Sequence, residues 1–450
     1  MTILLISTYE LGRQPFGLAS PAAWLERDGH KAVCVDFAVE PLSDEQIRVA
    51  DAAAFFLPMH TATRLALPAI ERVKRVNPCA RLACYGLYAS INQEMLRRLG
   101  VEAIIGGEFE AGLVRFARGE SPNEISLERQ SFVVPRREGF ASLSRYAKLS
   151  YNGDKKPVGY TEASRGCKHL CRHCPVVPVY RGQFRIVQRE VVLADIRQQV
   201  EAGAAHITFG DPDFFNGPKH AIEIVKALHA EFPKLTYDVT IKIEHLRKRR
   251  ELLPTLKDTG CLFVTSAVES MDDEVLAKLE KNHTRRDVVE TVEAMRGAGL
   301  AFSPTFIPFT PWTTLSGYRD LLGTIAELRL VHDVAPVQLA LRLLVTAGSR
   351  LLELEDLRGI LGEFDDRALV YPWKHPDPEM DRLAQGVFAF VSEQQEARRT
   401  RWEIFEGLWR LAYGSPFPGE YNPVPDATVA HMDEPWYCCA EPAPSRGAVV

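Results

Sequence analysis

Cysteine is scarce in this chain, nine among 450 residues, which excludes a disulfide framework as the basis of the fold. Apolar runs of about 18 residues, the length a membrane-spanning helix needs, are also lacking. The start, MTILLISTYELG, has no basic segment leading into a long apolar core and a small-residue cleavage site. Nor does one sign of charge dominate: 54 Lys+Arg against 59 Asp+Glu leave −5. That balance gives no whole-chain attraction to nucleic acid or to a membrane surface. The one basic run, Arg247-Lys248-Arg249-Arg250, is short and reads as a solvated helix face, so no nucleic-acid partner is expected. These absences predict a cytoplasmic protein. The 46% hydrophobic content suffices for two or three domains with real cores.

Residues 1–117 predict an open α/β domain. Short apolar runs at Ile3 to Ser7, Ala53 to Leu57, Leu82 to Tyr85 and Ala103 to Ile105 alternate with helical stretches, the pattern of a parallel, doubly wound Rossmann-like sheet. Gly106-Gly107-Glu108 stands after one such strand, where these folds bind ligands. Residues 118–158 carry Pro122, Pro135 and Pro157 with little periodicity and read as a linker. Residues 159–350 return to longer βα units. Strands are predicted at Tyr160 to Ser164, His206 to Gly210, Thr236 to Ile243, Leu262 to Ala267, Ala301 to Ile307 and Gln338 to Val345; six strands suit a partial (β/α)6 barrel rather than a full eight-unit one. Residues 351–420 read as helical, and 421–450, with five prolines, as an extended tail.

The strongest chemical pattern is Cys167-x-x-x-Cys171-x-x-Cys174, directly after the first barrel strand. Three thiolates cannot fill a tetrahedral zinc site alone, and no paired Cys-x-x-Cys follows. They can hold three irons of a [4Fe–4S] cluster and leave the fourth open. The alternatives are three buried cysteines or a zinc knuckle completed by His169 or His173.

This spacing in this place resembles the radical S-adenosylmethionine (radical SAM) superfamily. The resemblance implies a [4Fe–4S] cluster whose open iron chelates SAM, a partial barrel, a small-molecule substrate and a reducing electron donor of flavodoxin or ferredoxin type. It implies that His173, before the third cysteine and commonly aromatic in relatives, packs on adenine. Gly210 and Asp211 then match the turn that holds the SAM amino group, with Asp in place of Glu, although Asp211 can also be read as a helix cap. Val268-Glu269-Ser270 matches a segment in which Glu269 meets SAM's ribose or methionine, the alternative again being a cap. Lys242 and Glu244, at the end of the third strand, point to the same mouth, and Arg342, on the sixth strand, can neutralise a carboxylate there; ordinary ion pairs suit all three at least as well.

Residues 1–117 resemble the cobalamin-binding domain that precedes many radical SAM barrels, through Met59-His60-Thr61 and Gly106-Gly107-Glu108-Phe109-Glu110. The Asp-x-His-x-x-Gly that supplies an imidazole to cobalamin is missing: that stretch reads Tyr9-Glu10-Leu11-Gly12-Arg13-Gln14. Cobalamin binding and an empty, structural domain both stay open. An auxiliary cluster on Cys34, Cys79 and Cys84 is a further option. The tail, Trp436-Tyr437-Cys438-Cys439-Ala440-Glu441-Pro442, resembles a group of radical SAM proteins named for its Cys-Cys-Ala-Glu-Pro ending (CUAEP/CCAEP), some with selenocysteine at the first position. Adjacent thiolates on a tail suit a soft ion such as trivalent arsenic, unless they are two incidental cysteines of a frayed end. The resemblance extends to the radical SAM enzyme of arsinothricin biosynthesis. It implies transfer of the 3-amino-3-carboxypropyl group of SAM to arsenite held by Cys438 and Cys439, with cobalamin-dependent methyl transfer to an unactivated carbon as the alternative.

Overall fold

The computed structural model describes residues 1–419 and 425–434. Six parallel strands open the chain: β1 (Thr2–Ser7), β2 (Lys31–Asp36), β3 (Ala52–Phe56), β4 (Arg81–Tyr85), β5 (Ala103–Gly107) and β6 (Ile125–Ser126), in spatial order 2-1-3-4-5-6. Successive side chains of a strand face opposite sides, and here both sides are apolar. Leu4, Ile6, Ala53 and Phe55 enter one core, while Ile3, Leu5, Ala52 and Ala54 enter the other. Helices cover both faces, and the order reverses between β1 and β3, so a crevice opens at the carboxyl ends of these strands.

The second sheet runs in the order β14 (Ala301–Phe306), β13 (Cys261–Glu269), β12 (Thr236–Thr240), β11 (His206–Phe209), β8 (Asp154–Thr161), β7 (Lys148–Tyr151), β15 (His431–Met432). Its five parallel strands are β8, β11, β12, β13 and β14. They curl into a half-barrel with helices outside. Two short antiparallel strands, β9 (Ser164–Gly166) and β10 (Phe184–Ile186), flank the first turn of the barrel. Residues Gln338 to Val345 do not form the predicted sixth strand. Residues 336–339 are a 3-10 turn begun by Pro336, and Arg342 forms an isolated bridge to the barrel, opposite Phe309. A continuous buried apolar run does not distinguish strand from irregular core segment.

Two segments are more ordered than the sequence suggests. Residues 118–158 contribute β6 to one sheet and β7 (Lys148–Tyr151) to the other. β7 turns into β8 through Asn152 and Gly153, both at positive φ (52° and 80°), the residue pair of a tight hairpin. In the tail, β15 (His431–Met432) pairs antiparallel with β7. Two helices, Pro378–Glu396 and Arg401–Tyr413, close the barrel's outer side, burying Met380, Val387 and Leu408 in its core. Among the described residues, no helix is long and apolar enough to cross a membrane.

Candidate functional site

Cys167, Cys171 and Cys174 occupy the loop between β9 and a short helix, Val176–Tyr180. The loop is held from several sides. Asn216, fully buried, accepts from the Lys168 N–H (3.1 Å) and donates to the Gly166 carbonyl (3.2 Å). Arg350 donates to the Leu170 carbonyl (2.7 Å), and Ser349 to that of Arg172 (3.1 Å). Cys171 is buried, the other two half-buried. Burial, with the charge of Asp213, pushes the Cys167 thiol up to about 12. Burial also raises Cys171, while the nearby ammonium groups of Lys281 and Lys242 pull it back. Cations beside buried thiols favour the thiolate, the form that ligates iron.

Behind the loop, Glu269 Oε1 receives His173 Nε2 (3.2 Å) and Lys281 Nζ (3.1 Å). Glu269 sits at a register shift in β13 with φ +71°, a conformation uncommon for a non-glycine residue. Burial acts to raise its pKa, but Lys281 and His173 prevail and hold it at about 2. The sequence brings Glu269 and His173 to the cysteines, and the structure joins them to each other rather than leaving either free. Lys281 and His283, which sequence reasoning missed, complete this group; burial and the two lysines push His283 down to about 3.

Gly210 and Asp211 follow β11 at the same end of the barrel. A Cβ on Gly210 would collide with the Tyr160 hydroxyl, so the position requires glycine. Asp211 accepts from Ser164 Oγ (2.5 Å) and the Ala163 N–H (2.9 Å), so it braces the strand leading into the cysteine loop. Burial raises it to about 7. Arg342 is committed elsewhere: it pairs with Asp381 (2.7 Å), donates to the Trp373 carbonyl (2.8 Å) and stacks on the Trp373 ring at 3.5 Å. Its charge is spent on the outer helix, not on a carboxylate at the mouth. Lys242 and Glu244 join a polar group with His169, Asp213 and His245; His245 Nδ1 lies 2.7 Å from Asp213 Oδ2. Cys167, His169 and Asp213 present ligand atoms within 4.8 Å of one another, so the knuckle alternative keeps a geometric basis. Cys438 and Cys439 lie outside the described residues. The auxiliary-cluster option is overturned: Cys34 is on β2 and Cys84 on β4, three strand spacings or roughly 14 Å apart.

The Gly106-to-Glu110 segment clamps the two sheets together. Buried Arg165, two residues before Cys167, meets Glu110 (2.7 and 2.9 Å), Glu162 (2.7 Å) and Glu108 (3.4 Å). Tyr180 donates to Glu108 (3.0 Å). A cleft of roughly 210 Å³ lies beside this clamp, walled by the carboxyl ends of β1, β3, β4 and β5 and by the barrel mouth. Phe56, Tyr88, Phe109 and Tyr180 give it an apolar lining, and among the described residues no histidine lines it.

Residues 161–321 match the model of the radical SAM superfamily. The hopanoid C-3 methylase of Methylococcus capsulatus is 25% identical over 325 residues, 66% of this chain and 62% of its own. A threonylcarbamoyladenosine tRNA methylthiotransferase of Rickettsia prowazekii is 22% identical over 290 residues, 60% of this chain and 65% of its own. This chain thus spans less than two thirds of the length of these relatives. In fold it is similar to the cobalamin-dependent SAM radical enzyme OxsB with aqua-cobalamin bound, with a TM-score of 0.64 at 13% identity, covering 86% of this chain and 66% of that one. It is also similar to the radical SAM methyltransferase TsrM of Kitasatospora setae with cobalamin and a [4Fe–4S] cluster bound, at TM-score 0.58 and 14% identity, covering 73% and 70%.

Proposed function

From the premise that this chain is a radical SAM superfamily enzyme, we propose that it transfers a methyl group from SAM with the help of a corrinoid held between its N-terminal sheet and its barrel. The observation that carries this reading is the apolar cleft where the carboxyl ends of four parallel strands face the barrel mouth beside the cysteine loop. The residues present suit both groups: three thiols in one fixed loop with lysines beside them, and a crevice at the switch point of a doubly wound sheet. When bound, the cluster supplies the electron that cleaves SAM, and the corrinoid supplies a metal-centred carrier for the methyl group.

The chain's own residues do the rest. Arg165, locked to Glu108 and Glu110, holds the start of the cysteine loop in register with the N-terminal sheet. Lys242 and Lys281 place positive charge where the thiolates need it, and Glu269 fixes Lys281 and His173 in place. The aromatic lining keeps water from a reactive intermediate. The reductant is a flavodoxin- or ferredoxin-type protein. Protein purified anaerobically from corrinoid-fed cells is expected to carry near-stoichiometric corrinoid absorbance and to move label from methyl-deuterated SAM into product. Cluster-replete protein that retains no corrinoid would overturn the reading.

A second reading, aminocarboxypropyl transfer to arsenite, has one favouring observation. Glu434, the last described residue, lines the barrel cavity and accepts from the Tyr9 hydroxyl (2.5 Å), and Cys438 follows four residues later. Methylthioadenosine with an arsenic–aminocarboxypropyl adduct, formed from SAM and arsenite, would favour it. 5′-Deoxyadenosine unaffected by arsenite would return the assignment to methyl transfer.

A further inference from the structure

Inside the barrel lies a second cavity, of about 290 Å³, that the cofactor assignments leave unused. The barrel strands give it polar walls, Asp238 and Thr240 from β12, Thr265 from β13, Ser303 and Thr305 from β14, beside apolar Phe263, Ile404 and Met432. It meets the cofactor cleft at Arg13 and Thr240, which line both spaces. Two charged groups at its outer rim are satisfied. Asp426 accepts from His332 (2.9 Å) and the Arg401 N–H (2.8 Å), and Asp433 from Ser150 (2.7 Å) and Lys155 (3.1 Å).

Three groups inside are not. The Thr305 hydroxyl, on a residue only 5% exposed, has no hydrogen-bond partner among the described residues. Burying a hydroxyl without a partner is destabilising, so its retention needs a reason. Asp238 Oδ1 receives His206 Nε2 (3.0 Å) and Thr208 Oγ1 (2.6 Å), while no described side chain hydrogen-bonds to its other oxygen. The Arg13 guanidinium carbon lies over the Tyr160 ring, 4.8 Å from its centroid, and no acid among the described residues pairs with it. A guanidinium held by a ring and not by an acid keeps its donors available to a carboxylate.

We propose that the barrel cavity receives a small α-amino acid whose carboxylate pairs with Arg13 and whose amino and polar groups meet Asp238 and Thr305. This rests on the radical SAM reading and adds the substrate class. It makes Arg13, a residue of the N-terminal domain, the specificity-determining residue of the barrel. The cavity's size suits such a molecule, and its lining opposes an apolar one, since filling it with hydrocarbon would strand Asp238 and Thr305.

The test uses the full chain reconstituted anaerobically with its cluster and SAM. Pools of the twenty proteinogenic L-amino acids are screened by saturation-transfer NMR. The strongest binder is then titrated beside the amine that lacks its carboxylate and beside its amide. At least one amino acid is expected to bind saturably below about 10 mM, with its decarboxylated amine and its amide each weaker by about tenfold or more. Arg13→Gln is expected to weaken the amino acid by a similar factor, and Thr305→Val by roughly threefold to tenfold. No saturable binding, equal binding of the amine, or wild-type affinity in Arg13→Gln would each overturn the proposal. The analogue comparison is made on the wild-type protein and decides the matter even if a variant does not fold. The electron paramagnetic resonance of the reduced cluster, recorded on the same samples, separates the two layers. A SAM-induced change without amino-acid binding sinks the cavity proposal alone, and no SAM response sinks the reading beneath it.

Discussion

In the N-terminal sheet, neighbours along a strand alternate between two apolar cores, as Ile3 and Leu5 do with Leu4 and Ile6. In the barrel, Tyr237 and Val239 pack on the outer helices while Asp238 and Thr240, between them, face a cavity. Both sheets are parallel, and parallel sheets are ordinarily covered on both sides and apolar throughout. The barrel departs from that on one face only, and that face borders a cavity instead of a second layer of side chains. The same contrast sorts the polar groups. Around the barrel mouth they bind one another beside the cysteine loop, as Glu269 does Lys281 and His173, whereas in the N-terminal sheet they gather at strand ends, where Glu108 and Glu110 grip Arg165.

The largest effect lies where the two regions meet. Replacing Cys167, Cys171 or Cys174 singly by alanine removes one of the three proposed iron ligands, so SAM cleavage is expected to be lost, together with the brown absorbance of the cluster. A variant that keeps both the cluster and cleavage would break the assignment of that cysteine. Next comes the buried triad behind the loop. Glu269→Gln leaves the Lys281 ammonium buried without its counter-charge, at a cost of about 3–5 kcal/mol, read as a fall in the urea midpoint. The double variant Glu269→Gln, Lys281→Met is expected to recover most of it, because both charges are then gone.

Much of this was legible in the sequence, and the illegible parts share a cause. The cysteine loop, the turn at Gly210-Asp211 and the βα rhythm are local patterns, set by spacing within a few residues. Lys281, His283 and Arg13 act on groups far away in the chain, so no local spacing marks them. Arg342 stood near a strand end and was claimed by Asp381 on a helix about forty residues on, an ion pair that only tertiary packing decides. The hairpin at Asn152-Gly153 was within reach, since that dipeptide is a strong turn signal, but the prolines and charges around it suggested a linker. The polar residues of β12 to β14 were visible, but their shared cavity becomes apparent only when the strands are side by side.

A pH series sharpens the comparison further. Asp211 is raised by burial to about 7, so between the ordinary carboxylate range and that value the folded protein keeps a proton that the unfolded chain has lost. Its contribution to stability is therefore fully present at low pH and lost as pH rises through about 7, at no more than about 1.4 kcal/mol per pH unit. Glu108, likewise raised to about 7, and Asp36, raised to about 6, add slopes of the same sign. Asp211→Asn cannot titrate, so its urea midpoint is expected to fall less steeply between pH 5 and 7 than that of the wild type. Identical slopes would mean that Asp211 is ionised throughout and that its hydrogen bonds with Ser164 and Ala163 outweigh its burial.

The smallest effect is the most direct trial of the contrast between the sheets, because it exchanges their rules. Ala54 in β3 is fully buried between helices, whereas Thr265 in β13 is nearly as buried but lines the cavity. Ala54→Thr forces a hydroxyl and a methyl into a filled apolar layer, and is expected to cost about 1–3 kcal/mol. Thr265→Val keeps the shape and removes a hydroxyl that faces open space, so the change is expected to stay under about 1 kcal/mol. Urea midpoints of the two variants measure the difference. If Thr265→Val cost as much as Ala54→Thr, the hydroxyl would belong to the fold and the barrel interior would be a packed polar core. If it is cheap, that threonine is not needed for folding, and its presence on an otherwise buried strand has to be explained by what the cavity holds.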